Sequence, residues 1–102
     1  MIVQVTQMCA PAGQQKLLKQ LIETQYVPGF QERPGFLGAE IEVSDEGDDI
    51  SVLLFWSQRE DVELMEREGV LAGSAMRLAA HMPGVRVRQH GYMVGATVSS
   101  LT

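Results

Sequence analysis

The chain has 102 residues, 45% of them hydrophobic, enough to bury one core and too few for two. Its net charge is −5 and its densest basic cluster is the "RVR" of Arg86 to Arg88, which argues against a nucleic-acid partner. One cysteine, Cys9, excludes an intrachain disulfide and a cysteine metal cluster, and no stretch reaches the roughly 18 apolar residues of a membrane span. "MIVQVTQ" lacks a basic region and a long apolar run, so it does not read as a signal peptide, and a cytoplasmic location is expected.

Residues 2–9, "IVQVTQMC", carry β-branched Ile2, Val3, Val5 and Thr6 and predict a strand. Pro11 then suits a first helical turn. Leu17, Leu18, Leu21, Ile22 and Tyr26 form one helical stripe, with Lys16, Lys19, Gln20 and Glu23 opposite, until "VPGF" stops it. After the turn at Pro34 and Gly35, residues 36–44 alternate. Leu37, Ala39, Ile41 and Val43 are expected on one face, and Phe36, Gly38, Glu40 and Glu42 on the other. "DEGDD" is a hairpin turn, and residues 50–56, "ISVLLFW", pair back across it.

"SQRE" has the form of a capping box, Ser57 with Glu60, and Asp61 adds negative charge to the first helical turn. Val62 and Met65 point inward, Gly69 interrupts, and Leu71, Ala75, Leu78, Ala79 and Met82 resume the stripe before Pro83 and Gly84. "VRVRQHGYMVGATV" predicts a last strand broken by Gly91 and Gly95, and the final ~5 residues read as a tail. The order β-α-β-β-α-β predicts an α+β, ferredoxin-like domain over 1–102, with both helices on one face of an antiparallel sheet. Val52, Leu53, Leu54 and Phe55 are apolar on both strand faces, so a homodimer joined through the open sheet face is expected.

"PAG" before the first helix, "PGFLGAEI" opening the second strand and "LLFWSQRED" entering the second helix form a recognisable pattern. Over about residues 1–95 the chain resembles the antibiotic biosynthesis monooxygenase superfamily of dimeric α/β barrels. The resemblance implies a dimer and a range of activities. These include cofactor-free oxygenation of polycyclic phenols and quinols, heme degradation, and members with no established activity. The heme-degrading branch is similar among its members in an Asn, a Trp and a His that align near Thr6, Met65 and Ala75, and none matches. With no imidazole near Ala75 there is no axial ligand, so heme degradation is not expected.

His90 and Tyr92 are two apart and share a strand face, with Arg86 and Arg88 expected on the same face. A His, a Tyr and an Arg around one cavity could bind a phenolate and move a proton, and His90 and Tyr92 are the candidate catalytic pair. The same residues also fit a solvated edge strand. Gln4, Thr6 and Met8 share a face of the first strand. If Val3 and Val5 face outward, Gln4 and Thr6 look toward the helices, as substrate-binding groups or as satisfied polar residues. Trp56 is core or a pocket rim, since its indole N–H needs a partner. Met65 and Arg88 complete the candidate substrate-binding set. Six methionines could line an adaptable pocket or simply pack a core.

His81, in the last turn of the second helix, is explained by the helix dipole, and Cys9 reads as an inert thiol. Two histidines nine apart without a third ligand predict no metal site, and no cofactor is expected. "GFLGAE" has too few glycines for a dinucleotide site, and there is no Ser-His-Asp arrangement. Two functions remain: a cofactor-independent monooxygenase of an aromatic, quinol or polyketide-type substrate, or a non-catalytic dimeric module that binds a small ligand or an assembly partner.

Overall fold

The computed structural model describes residues 1–94. Its elements are β1 (Ile2–Cys9), α1 (Gln15–Leu21), β2 (Phe36–Val43), β3 (Asp49–Trp56), α2 (Arg59–Arg67), α3 (Val70–His81) and β4 (Arg86–Val94). The strands form one antiparallel sheet in the order β2-β3-β1-β4. This is the α+β, ferredoxin-like arrangement that the element order predicts. Gly95 and the predicted tail lie outside the described residues.

β3 shows why this sequence makes a central strand. Ile50, Val52, Leu54 and Trp56 are all essentially inaccessible, while Asp49, Ser51, Leu53 and Phe55 between them are half-buried. Period two therefore sends four large apolar groups to the helix side. There they join Met8 from β1, Leu18 from α1, Val62 and Met65 from α2, and Leu78 from α3 in one core. Each such side chain contributes about 1.5–3 kcal/mol when fully buried. On the opposite face Val3 is fully buried, and Val5, Leu53 and Phe55 remain half-buried.

Four local expectations are corrected. The first helix begins at Gln15, so Pro11 sits in the preceding turn, where its carbonyl accepts from the Gln14 N–H at 3.0 Å. In β2 the register slips between Phe36 and Gly38. That bulge packs a partly buried Phe36 against Trp56, with ring centroids 5.3 Å apart, and leaves Leu37 59% exposed. The capping box does not form. Gln58 is the N-cap without a side-chain bond, and the Ser57 hydroxyl instead donates to Asp61 Oδ2 at 3.3 Å. In β4, Gly91 lies within the strand rather than interrupting it. The interruption expected at Gly69 is present as a full break, because its left-handed backbone (φ 76°) ends α2 and starts α3, which leaves three helices rather than two.

After α1 the chain widens into a π-helical turn, Ile22–Tyr26, then a 3-10 turn, Val27–Gly29. The wider turn suits the four-residue spacing of Leu18, Ile22 and Tyr26, all of which are buried. Leu17, predicted in that stripe, is 44% exposed.

Candidate active site

The polar residues of β1 face inward. Gln4 is completely buried and Thr6 nearly so, on the helix side of the central strand beside Leu54 and Val52 of β3. On the other flank, Gln4 lies opposite Tyr92 and Thr6 opposite His90 of β4. Cross-strand partners share a face, so four polar side chains meet there.

They are joined by hydrogen bonds. The Trp56 indole donates to Gln4 Oε1 at 3.2 Å. Gln4 Nε2 lies 3.4 Å from His90 Nε2, and Thr6 Oγ1 lies 2.8 Å from His90 Nδ1. Tyr26, at the end of the π-helical turn, lies near Thr6. Burial pushes its phenol up to about 12, while a hydrogen bond from Thr6 acts in the opposite direction. Two buried or nearly buried side chains of β1, one of them held in turn by the Trp56 indole, thus meet both nitrogens of an imidazole whose residue is itself exposed. Buried polar groups of this kind are costly without partners, and here each has one.

Tyr92 stands beside the imidazole, its ring 5.9 Å from that of His90 and tilted 71°. Its hydroxyl donates to the Glu66 carboxylate on α2. Lost hydration first, and then Glu66, push the Tyr92 phenol up to about 12. Tyr92 is therefore a neutral hydrogen-bond donor at ordinary pH, not a base.

Behind the network Trp56 is packed by aromatic edges, with Phe30 at 6.2 Å and Phe36 at 5.3 Å between ring centroids. It is wholly buried, so it stands in the core rather than at a rim. Two predicted members stand apart. Met65 is fully buried in the core under α2. Arg88 does not share the face of His90. The β1–β4 register shifts between Gln7 and Met8, and Arg88 pairs with the Asp49 carboxylate at 3.1 Å, on the far side of β3 from Ile50.

His81 Nδ1 bonds the Arg77 carbonyl at 2.9 Å, one helical turn back. Cys9 is half-buried, and lost hydration together with Asp49 holds its thiol above the usual range. Among the described residues no group of three or more His, Cys, Asp or Glu side chains is placed to hold a metal ion. No helix among them is long and apolar enough to cross a membrane.

Tyr26 and Glu66 were not among the predicted site residues. Tyr26 carried one usable signal, a phenol at the end of a buried stripe whose hydroxyl needs a partner. Glu66 carried none.

No family model matches the sequence, and no curated protein does. Solved structures do. SnoaB, a cofactor-independent oxygenase from Streptomyces nogalater, superposes with a TM-score of 0.71 at 14% identity, over 92% of this chain and 91% of that one. A monooxygenase from the gene ActVA-Orf6 of Streptomyces coelicolor, solved with nanaomycin D, gives 0.70 at 17% identity over 91% and 85%. A protein from Chloroflexus aurantiacus, provisionally named an antibiotic biosynthesis monooxygenase, gives 0.62 at 21% identity over 91% and 90%. The chain has the fold of the antibiotic biosynthesis monooxygenases. The resemblance read from the sequence is thus borne out at the level of fold. On this monooxygenase fold, Thr6 belongs to the polar network, Met65 is core, and Ala75 packs partly buried against that core. The imidazole of the site comes from β4 rather than from the second helix.

Proposed function

We propose that the chain is a member of the antibiotic biosynthesis monooxygenase superfamily and works as a cofactor-independent oxygenase of an aromatic, quinol or polyketide-type substrate. The observation that carries the reading is the imidazole of His90, exposed at one edge yet held through both nitrogens by the buried side chains of Gln4 and Thr6. A solvated edge strand has no need of a fully buried amide and indole behind its histidine. The likeness to SnoaB and to the ActVA-Orf6 enzyme supports the reaction class.

In this reading His90 takes a proton from the activated phenol or the adjacent carbon of the substrate. The resulting electron-rich anion reduces O₂ and forms a carbon–oxygen bond. The peroxide regains the proton from His90 and loses water, so a methylene and O₂ become a carbonyl and H₂O. The Gln4 amide hydrogens face the imidazole and hold it in place for that transfer. Tyr92, neutral and tied to Glu66, forms the wall next to the base. The test is oxygen consumption with a panel of quinols and anthrone-type phenols, on wild type and His90→Ala. Uptake by the wild type that the variant loses is expected. No uptake with any substrate, or uptake unchanged in the variant, overturns the reading.

The half-buried apolar residues of the outer sheet face, Val5, Leu53 and Phe55, support a homodimer through that face. Light scattering at micromolar protein should give twice the chain mass, and Leu53→Lys should halve it. A wild-type monomer would remove the dimer from the proposal. The second reading, a non-catalytic dimeric binding module, predicts that small aromatic ligands bind with no oxygen uptake.

A further inference from the structure

We infer that Trp56, acting through Gln4, is the positioning residue that decides which nitrogen of His90 carries the proton. The inference rests on the reading of His90 as the base only for its catalytic meaning, because the tautomer belongs to the ligand-free protein.

An indole has one N–H and no acceptor, so whatever faces Trp56 Nε1 must accept. Gln4 therefore turns Oε1 to the indole at 3.2 Å, and its NH₂ is left facing His90 Nε2 at 3.4 Å. An amide NH₂ only donates, so Nε2 must present its lone pair. The proton of the neutral ring then sits on Nδ1, where Thr6 Oγ1 accepts it at 2.8 Å. A single donor-only group thus orients every proton along a chain drawn from β3, β1 and β4. The reverse orientation would set an NH₂ against the indole N–H, two donors head to head between two completely buried side chains.

Free histidine favours the other tautomer, with the proton on Nε2. The arrangement here keeps the Nε2 lone pair open, and Nε2 is the nitrogen at which His90 would accept a proton from a substrate. Its present contact, the 3.4 Å one with Gln4, is the longest in the chain and the easiest for an incoming hydroxyl to replace.

The test is two-bond ¹H–¹⁵N correlation on labelled protein at a pH where the imidazoles are neutral. His90→Asn assigns the signals of the two histidines. His81, whose Nδ1 faces the Arg77 carbonyl, stays Nδ1-protonated throughout as an internal reference. Wild-type His90 is expected to show a protonated Nδ1 and a bare Nε2. Trp56→Phe frees the Gln4 amide to turn over and should move the population toward Nε2–H. Gln4→Glu keeps Trp56 and supplies a carboxylate that accepts from both neighbours, so it should reverse the tautomer outright, and it decides the matter if Trp56→Phe does not fold. A wild-type His90 protonated on Nε2, or an unchanged Nδ1–H tautomer in Gln4→Glu, overturns the inference. The readout needs no substrate, so a chain without oxygenase activity would leave it standing.

Discussion

Alkaline titration tests the buried end of the network. The chain holds two tyrosines, Tyr26 and Tyr92, and both phenols are pushed up to about 12. An unfolded chain releases both protons near its ordinary tyrosine value of about 10. Between those limits the folded state holds protons that the unfolded state has lost. Stability is therefore fully present below pH 10 and drains away as the pH climbs through 12. For Tyr26, 1% exposed, a shift from 10 to about 12 corresponds to roughly 2–3 kcal/mol. Tyr92 is 52% exposed, and solvent screening makes its share smaller. With a urea dependence of about 1–3 kcal/mol per molar, the Tyr26 contribution alone should lower the urea midpoint by roughly 1–3 M across that window. Phenolate absorbance of the native protein should stay flat through pH 10 and rise together with loss of the fold, and Tyr26→Phe should remove most of the urea effect. One tyrosine equivalent ionising near pH 10 in protein that is still folded would refute the reasoning.

Gln4→Leu keeps the volume but leaves the Trp56 N–H buried without an acceptor, and should cost about 1–3 kcal/mol in urea unfolding. Gly35→Ala combines a left-handed backbone (φ +79°) with a Cβ that would clash with the Asp61 carboxylate. It should destabilise by more than about 2 kcal/mol, and by less in an Asp61→Ala background. Arg88→Ala removes an ion pair whose arginine side chain is 58% exposed, so it should cost less than about 1 kcal/mol and leave oxygen uptake unchanged.

Much of the sheet was legible because period two is a strong signal. The alternation of β1 was enough to place Gln4 and Thr6 under the helices once Val3 and Val5 were assigned outward. The same rule failed twice, at Phe36 and at Arg88, and each time a bulge reset the phase of the strand. A bulge depends on how two distant segments pair, so no single segment announces it. Ser57 and Glu60 satisfied the spacing of a capping box, yet tertiary contacts won. The Ser57 N–H bonds the Gly35 carbonyl at 2.8 Å, and its hydroxyl goes to Asp61. Tyr26 escaped for a related reason. Helical spacing identified it as buried, but only the π-helical turn and the sheet register bring its hydroxyl to Thr6.

The network is also a record of how the chain closes. The Trp56–Gln4 contact joins residues 52 apart in sequence, and the two contacts of His90 join residues 86 and 84 apart. None can form until β1 has received β3 on one side and β4 on the other, with nearly the whole described chain looped between β1 and β4. Long-range pairings of this kind are reached late, since the entropy of loop closure must be overcome first. The single tryptophan therefore sits where folding finishes. Its fluorescence should separate early burial against Phe30 and Phe36 from the later locking of its N–H to Gln4.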